Sequence, residues 1–226
     1  ADERKTLLAA GAAAGMAAIF GSPVSAVLLA VELLLFEFRP RSIIPVALAS
    51  VTAAGVRYAT LGATPIFAMP PLAQPSGEAL VFYVLLGALM GLAAVGVTRL
   101  VYGIEDAFHN LGIHWMWWPA LGGLAVGVIG YFAPHTLGVG YDNIQQIVSG
   151  ELVGRALVLL CTMKLVSWAI ALGSGTSGGT LAPLFTIGGG LGAALGEIAM
   201  RLLPSIGIDA RIAGLVGMSA MFAGAS

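Results

Sequence analysis

Gly173-Ser-Gly-Thr-Ser-Gly-Gly-Thr-Leu-Ala-Pro183 is the stretch whose reading decides the fold. Long apolar runs, 152–172 and 180–203, meet at it. Its glycines lose the most backbone entropy in a helix, and its serines and threonines offer the backbone competing hydrogen bonds. Pro183 suits a first helical turn, where a missing N–H costs nothing. The stretch therefore predicts a polar loop that leads into a helix N-terminus amid hydrocarbon. The first N–H groups of such a helix have no intrahelical acceptor. Together they carry about half a positive charge, and ends of this kind bind anions. An anion held by dipoles alone, with no full cation beside it, is also released fast. A loop that merely lets two helices cross closely accounts for the same residues.

The rest of the chain explains why the surroundings are hydrocarbon. Of 226 residues, 58% are hydrophobic and 9% charged, against about 25% charged in soluble domains. Mean hydropathy is +0.96. Glycine supplies 32 residues, about twice its usual share of ~7%. A water-soluble globule and a disordered chain are excluded. Ten basic and eleven acidic residues leave a net charge of −1, so no basic field exists for nucleic acid. The single cysteine, Cys161, reads as a small core residue and rules out an internal disulfide and a multi-thiolate metal site. His109, His114 and His135 lack the spacing of paired ligands on a helix. No metal or cofactor is expected.

Apolar runs at 6–20, 22–36, 42–61, 79–104, 116–133, 152–172, 180–203 and 210–223, with an amphipathic stretch near 141–149, predict an all-α membrane protein. A spanning helix needs about 20 residues at 1.5 Å each. The first two runs, split by Gly21-Ser22-Pro23, fall short. That break reads as a second helix start or a simple kink. Helices that stop inside the membrane present their ends to ions in transporters and channels. Glycines recur at four-residue spacing in Gly11/Gly15, Gly87/Gly91, Gly123/Gly127 and Gly188/Gly192/Gly196, which predicts close helix packing. Charges gather at run ends, as the bilayer requires; Glu105 and Asp106 are examples. Arg39 and Arg41 put the 37–42 turn in the cytoplasm, and the uncharged, proline-bearing 62–77 loop outside. Trp115, Trp117, Trp118 and Tyr131 read as an interfacial aromatic belt. Gly15-Met-Ala-Ala-Ile-Phe20 recurs as Gly217-Met-Ser-Ala-Met-Phe222, identical at four of six positions. The match suggests about one period of an internal repeat, cut from something longer.

Here the residues reach a resemblance. Gly179-Thr-Leu-Ala-Pro183 resembles the GxFxP anion-binding motif of the CLC family of chloride channels and chloride/proton exchangers. Leu7 to Phe20, followed by Gly21-Ser-Pro-Val-Ser-Ala-Val-Leu-Leu-Ala-Val-Glu32, is similar to the two helices after the family's GREGP motif. Gly217 to Ser226 resembles the approach to its penultimate helices. The resemblance implies a CLC-type inverted-repeat bundle of tilted, partly incomplete helices. It makes residues 1–226 a fragment of one transmembrane domain, the second part of the first repeat and most of the second, with no soluble domain. It further implies a multi-pass protein of the cell membrane, chloride or another small anion as ligand, and a homodimer with one pore per subunit. The family's GSGIP and GREGP motifs and its late anion-coordinating Tyr are not in this stretch of chain.

The resemblance also assigns roles. The N–H groups of Thr180 and Leu181 would hold the anion, with Gly179, Ala182 and Pro183 shaping the site. Leu181 stands where the family usually has Phe, which alters packing but not the backbone donors. Exchangers usually carry a second Glu directly after the glutamate matching Glu32. Here that position is Leu33, which cannot carry a proton. The expectation is a passive, voltage-gated-type chloride channel, with chloride/proton antiport as the alternative. Glu32 reads as a structural acid, capping or pairing near a helix end. Lys164 is a candidate for pore electrostatics, against snorkelling or pairing with a carboxylate. Glu197 is expected to pair with a basic residue or reach the interface. An intramembrane serine hydrolase built on Ser174 or Ser177 with a histidine is a remote alternative, as is a purely structural subunit; neither makes the chain an enzyme in the preferred reading.

Overall fold

In hydrocarbon every backbone polar group must be satisfied within its own segment, so an apolar chain of this kind folds into helices. The computed structural model describes residues 2–62 and 64–225. Nine α-helices and no strand occur among the described residues. Ala1 and Ser226, the ends of the expected fragment, and Ala63 of the 62–77 loop lie outside them. Two compact units form, Ala1–Ala68 and Met69–Ser226.

The first unit holds α1 (Asp2–Phe20), α2 (Pro23–Ala30) and α3 (Pro40–Leu61). Gly21 takes a left-handed φ of +64°, and Pro23 opens α2 in its first turn. The Gly21-Ser22-Pro23 break is thus a true helix end and a new start, not a kink. The Tyr58 hydroxyl donates to the Gly21 carbonyl at 3.1 Å and Ser50 to that of Pro23 at 2.9 Å, so α3 ties the turn down. Ala9, Ala13, Ala30, Leu35 and Val46 form the core here. Past Ala30 the helix widens into a π-helical turn, Val31–Leu35. It closes on Phe36, whose φ is +56°. Lys5 donates to the Leu35 carbonyl at 2.8 Å and covers this end.

The second unit holds α4 (Gly77–His109), α5 (Trp118–Phe132), α6 (Tyr141–Ser149), α7 (Gly154–Gly173), α8 (Leu181–Leu202) and α9 (Ala210–Ala225). Ser76 caps α4 by accepting the Ala79 N–H at 3.1 Å. The helix runs past its expected end at 104, so Glu105 and Asp106 lie inside it. Charges end an apolar run without ending a helix. Trp115, Trp117 and Tyr131 are exposed at the two ends of α5, while Trp118 packs on His109 with ring centroids 4.7 Å apart.

The core of this unit gathers α4, α8 and α9 around Met90, Leu184, Ile187 and Met221. Along α8 and α9, backbone meets backbone. A Cβ on Gly188 would lie 2.6 Å from the Gly217 carbonyl oxygen, and one on Gly192 would fall on that of Ala213. A Cβ on Gly196 would lie 2.6 Å from the Ala213 side chain. The expected packing holds for this stripe. Among the described residues nothing lies within 4 Å of a Cβ position at Gly11, Gly15, Gly91, Gly123 or Gly127, and at Gly87 only Val216 does. Helices α3, α4, α7, α8 and the stretch Trp115–Phe132 are long and apolar enough to cross a membrane, while Pro23–Leu35 and Ala210–Ala225 are shorter.

Candidate functional site

Between α7 and α8 the chain builds the loop and helix start that residues 173–183 foretell. Ser174 caps α7, its N–H bonded to the Ile170 carbonyl at 2.9 Å. Gly175 takes φ +78°, the left-handed step that commonly follows a helix end. Residues 176–180 then run without helix, all exposed. The Trp168 indole reaches over from α7 and donates to the Gly179 carbonyl at 3.3 Å. That strap fixes the residue two before the helix start. Sequence reasoning missed Trp168, because a tryptophan in an apolar run reads as lipid-facing.

α8 begins at Leu181. Thr180 spends its carbonyl on the Leu184 N–H at 3.1 Å, but its side chain does not cap the helix. Threonine at this position ordinarily accepts an N–H from the first turn. Here, among the described residues, the N–H groups of Thr180, Leu181 and Ala182 make no hydrogen bond. Pro183, third in the helix, has no N–H to satisfy. No acidic residue lies in the first turn, and the basic Arg201 stands at the far end. A helix of 22 residues thus points its partial positive charge, with free donors, into a loop without a compensating carboxylate. Such an end can hold a small anion by hydrogen bonds alone.

Lys164 lies 4% exposed on α7. It neither snorkels nor meets a carboxylate. Its ammonium donates to the carbonyls of Thr136 at 2.8 Å and Gly138 at 2.9 Å. A Cβ on Gly140 would stand 3.7 Å from that ammonium and 3.8 Å from the Thr186 hydroxyl of α8. The charge therefore sits beside the second turn of α8, held by a turn of backbone rather than by an acid.

The remaining candidates are scattered. Leu33, 39% exposed, and Glu32, also exposed, lie on the π-helical turn of the first unit. Glu32 makes no hydrogen bond or ion pair among the described residues, so the expected capping or pairing is not there; Lys5 serves that helix end instead. Glu197 pairs with backbone instead of a basic residue, accepting the Gly154 N–H at 3.2 and 3.1 Å. Ser174 is fully buried, and its hydroxyl donates to the Ala171 carbonyl at 2.7 Å; no histidine bonds to it among the described residues.

A family model described as voltage gated chloride channel matches residues 1–226. The chain is 32% identical to the H(+)/Cl(-) exchange transporter ClcA of Vibrio campbellii, over 98% of this chain and 49% of that protein. It is 33% identical to the protein of the same name from Vibrio vulnificus, over the same shares. The chain therefore spans about half the length of the curated relatives it matches. Its fold matches that of a slow cyanobacterial Cl-/H+ antiporter with a TM-score of 0.82 at 22% identity, covering 98% of this chain and 53% of the other. A CLC-type fluoride/proton antiporter matches with a TM-score of 0.77 at 22% identity, covering 97% and 54%.

Proposed function

Because the chain belongs to the voltage gated chloride channel family and is a multi-pass integral membrane protein, we propose that the protein it forms part of exchanges chloride for protons across a cell membrane. The observation that carries the anion half is the start of α8, where the N–H groups of Thr180, Leu181 and Ala182 are unbonded and no acid opposes them. In this reading the Thr180 and Leu181 amides hold chloride in transit. Gly179 and Pro183 frame the turn, and the leucine-for-phenylalanine difference at Leu181 leaves the donors unchanged. Lys164 raises the potential beside the second turn while its own donors stay on carbonyls. A homodimer with one such path per subunit belongs to the same reading.

The proton half rests on the relatives, which are named as H(+)/Cl(-) exchange transporters. A second reading, passive chloride conduction, rests on Leu33, since a leucine at that position relays no proton. Liposomes that hold the full-length protein decide between them. With a chloride gradient imposed at equal pH on both sides and pH recorded in the same vesicles, exchange gives proton flow opposite to chloride flow and in a fixed ratio to it. Chloride flux with no coupled proton flow replaces exchange by passive conduction. Bromide soaked into crystals should give an anomalous peak within hydrogen-bond reach of the Thr180 and Leu181 amides; a filled position elsewhere with none here removes them from the path.

A further inference from the structure

We propose that the groove between the first half of α7 and the last half of α8 seats an anionic phospholipid. The two helices run antiparallel. Cys161 bonds to the Thr186 carbonyl at 3.4 Å, and Gly154 to the Glu197 carboxylate at 3.2 and 3.1 Å. The first turn of α7 and the last turn of α8 therefore lie at one level, and both helices are long and apolar enough to span a bilayer. Between them opens a groove of about 730 Å³, within the usual range of roughly 300–1,000 Å³ for small-molecule sites. Val158, Leu159 and Ile198 line it with exposed apolar surface. At its end stand Arg155 and Arg201, both exposed and neither in an ion pair or hydrogen bond among the described residues.

Glu197 is the one carboxylate in the lining. It is engaged by the first N–H of α7, a stabilising place for an acid, and so leaves the two guanidinium groups unmatched. Apolar walls on two helices of spanning length that end in two unmatched cations fit a ligand with a hydrocarbon tail and an anionic phosphate head. Arginine offers paired donors to phosphate oxygens, and its long stem lets the charge reach the headgroup level. A zwitterionic head brings its own cation and needs the arginines less. Nothing in this site involves the start of α8, so the inference stands apart from the transport reading.

The test uses the full-length protein in detergent. Native mass spectrometry with added phosphatidylglycerol or phosphatidylcholine reads the lipid retained. The wild type should keep phosphatidylglycerol in preference. Arg155→Gln and Arg201→Gln should each lower its retention about fivefold, the worth of one basic residue near an anionic surface. Arg99→Gln, on exposed α4 surface, should leave it unchanged. Should either variant fail to fold, Leu159→Trp reads the groove with both arginines in place, by quenching with brominated phosphatidylglycerol. Equal retention of both lipids, full retention in the two arginine variants, no quenching at position 159, or displacement by millimolar inorganic phosphate would each overturn the proposal.

Discussion

A single backbone N–H is a weak donor to water and a strong one to an ion shielded from water, which is why the peptide units at 180 and 181 carry so much of the reading. Exchanging Leu181 for its α-hydroxy acid analogue turns that N–H into an ester oxygen and leaves the side chain intact. A hydrogen bond to a charged partner is worth about 1.5–3 kcal/mol, so halide affinity by calorimetry should fall roughly tenfold to a hundredfold. Unchanged affinity would take this amide out of the site. Lys164 makes the opposite point, that a full charge can serve structure. Its two bonds to the Thr136 and Gly138 carbonyls hold a turn against α7 and α8. Lys164→Met strands both acceptors, at about 1–3 kcal/mol each. The solubilised protein should melt several degrees lower, about 2–4 °C for each kcal/mol at this size. A melting curve like the wild type's would show that the turn does not depend on the ammonium.

At the scale of elements the α8–α9 seam dominates. Gly188, Gly192 and Gly196 admit the backbone of Ala213 and Gly217, and even one methyl there has no room. Gly192→Ala should destabilise the pair by about 1–3 kcal/mol through overpacking. Gly15→Ala, on open helix surface, should instead stabilise by about 0.5–1 kcal/mol. Denaturation of the two variants in one detergent compares them; equal effects would deny the seam its special status. These cases also show what was legible beforehand. Gly173 to Pro183 marked a helix end because glycine loosens the backbone and proline fixes it, while Gly21-Ser22-Pro23 read equally as a kink until the left-handed Gly21 showed an end. Four-residue glycine spacing marked faces but not partners, since a face becomes a seam only where another element arrives, and among the described residues none arrives at Gly123 or Gly127. The carbonyls that take up Lys164 were hidden for a related reason: every residue has one, and only the path of the chain brings those of Thr136 and Gly138 near. Leu33 was legible only as a missing acid.

For the whole molecule, acid should loosen the fold through Asp209. Arg211 bonds both carboxylate oxygens, at 3.0 and 2.7 Å, and this hydrogen bonding holds the Asp209 carboxyl below its ordinary 3.8, against the opposing effect of burial. A carboxyl whose pKa drops on folding stabilises the fold above its unfolded value and ceases to as pH falls through the lower, folded one. Melting temperatures taken from neutral pH down to about 3 should decline in the wild type and decline less in Asp209→Asn; parallel curves would show that other acids dominate. The backbone of the same residue is bonded to the Tyr83 hydroxyl of α4, its N–H at 2.8 Å, and Gly224 of α9 lies against Gly91 of α4. With 33 residues, α4 is about 50 Å long at 1.5 Å per residue, well beyond the ~30 Å of a bilayer interior. A rod of that length leans, and it leans further in thin membranes. A change of lean would reach α9 through these two contacts, and through α9 the backbone of α8 packed along it. Membranes of short and of long acyl chain would thereby set different leans of α4, and with them different loads on its contact with α9.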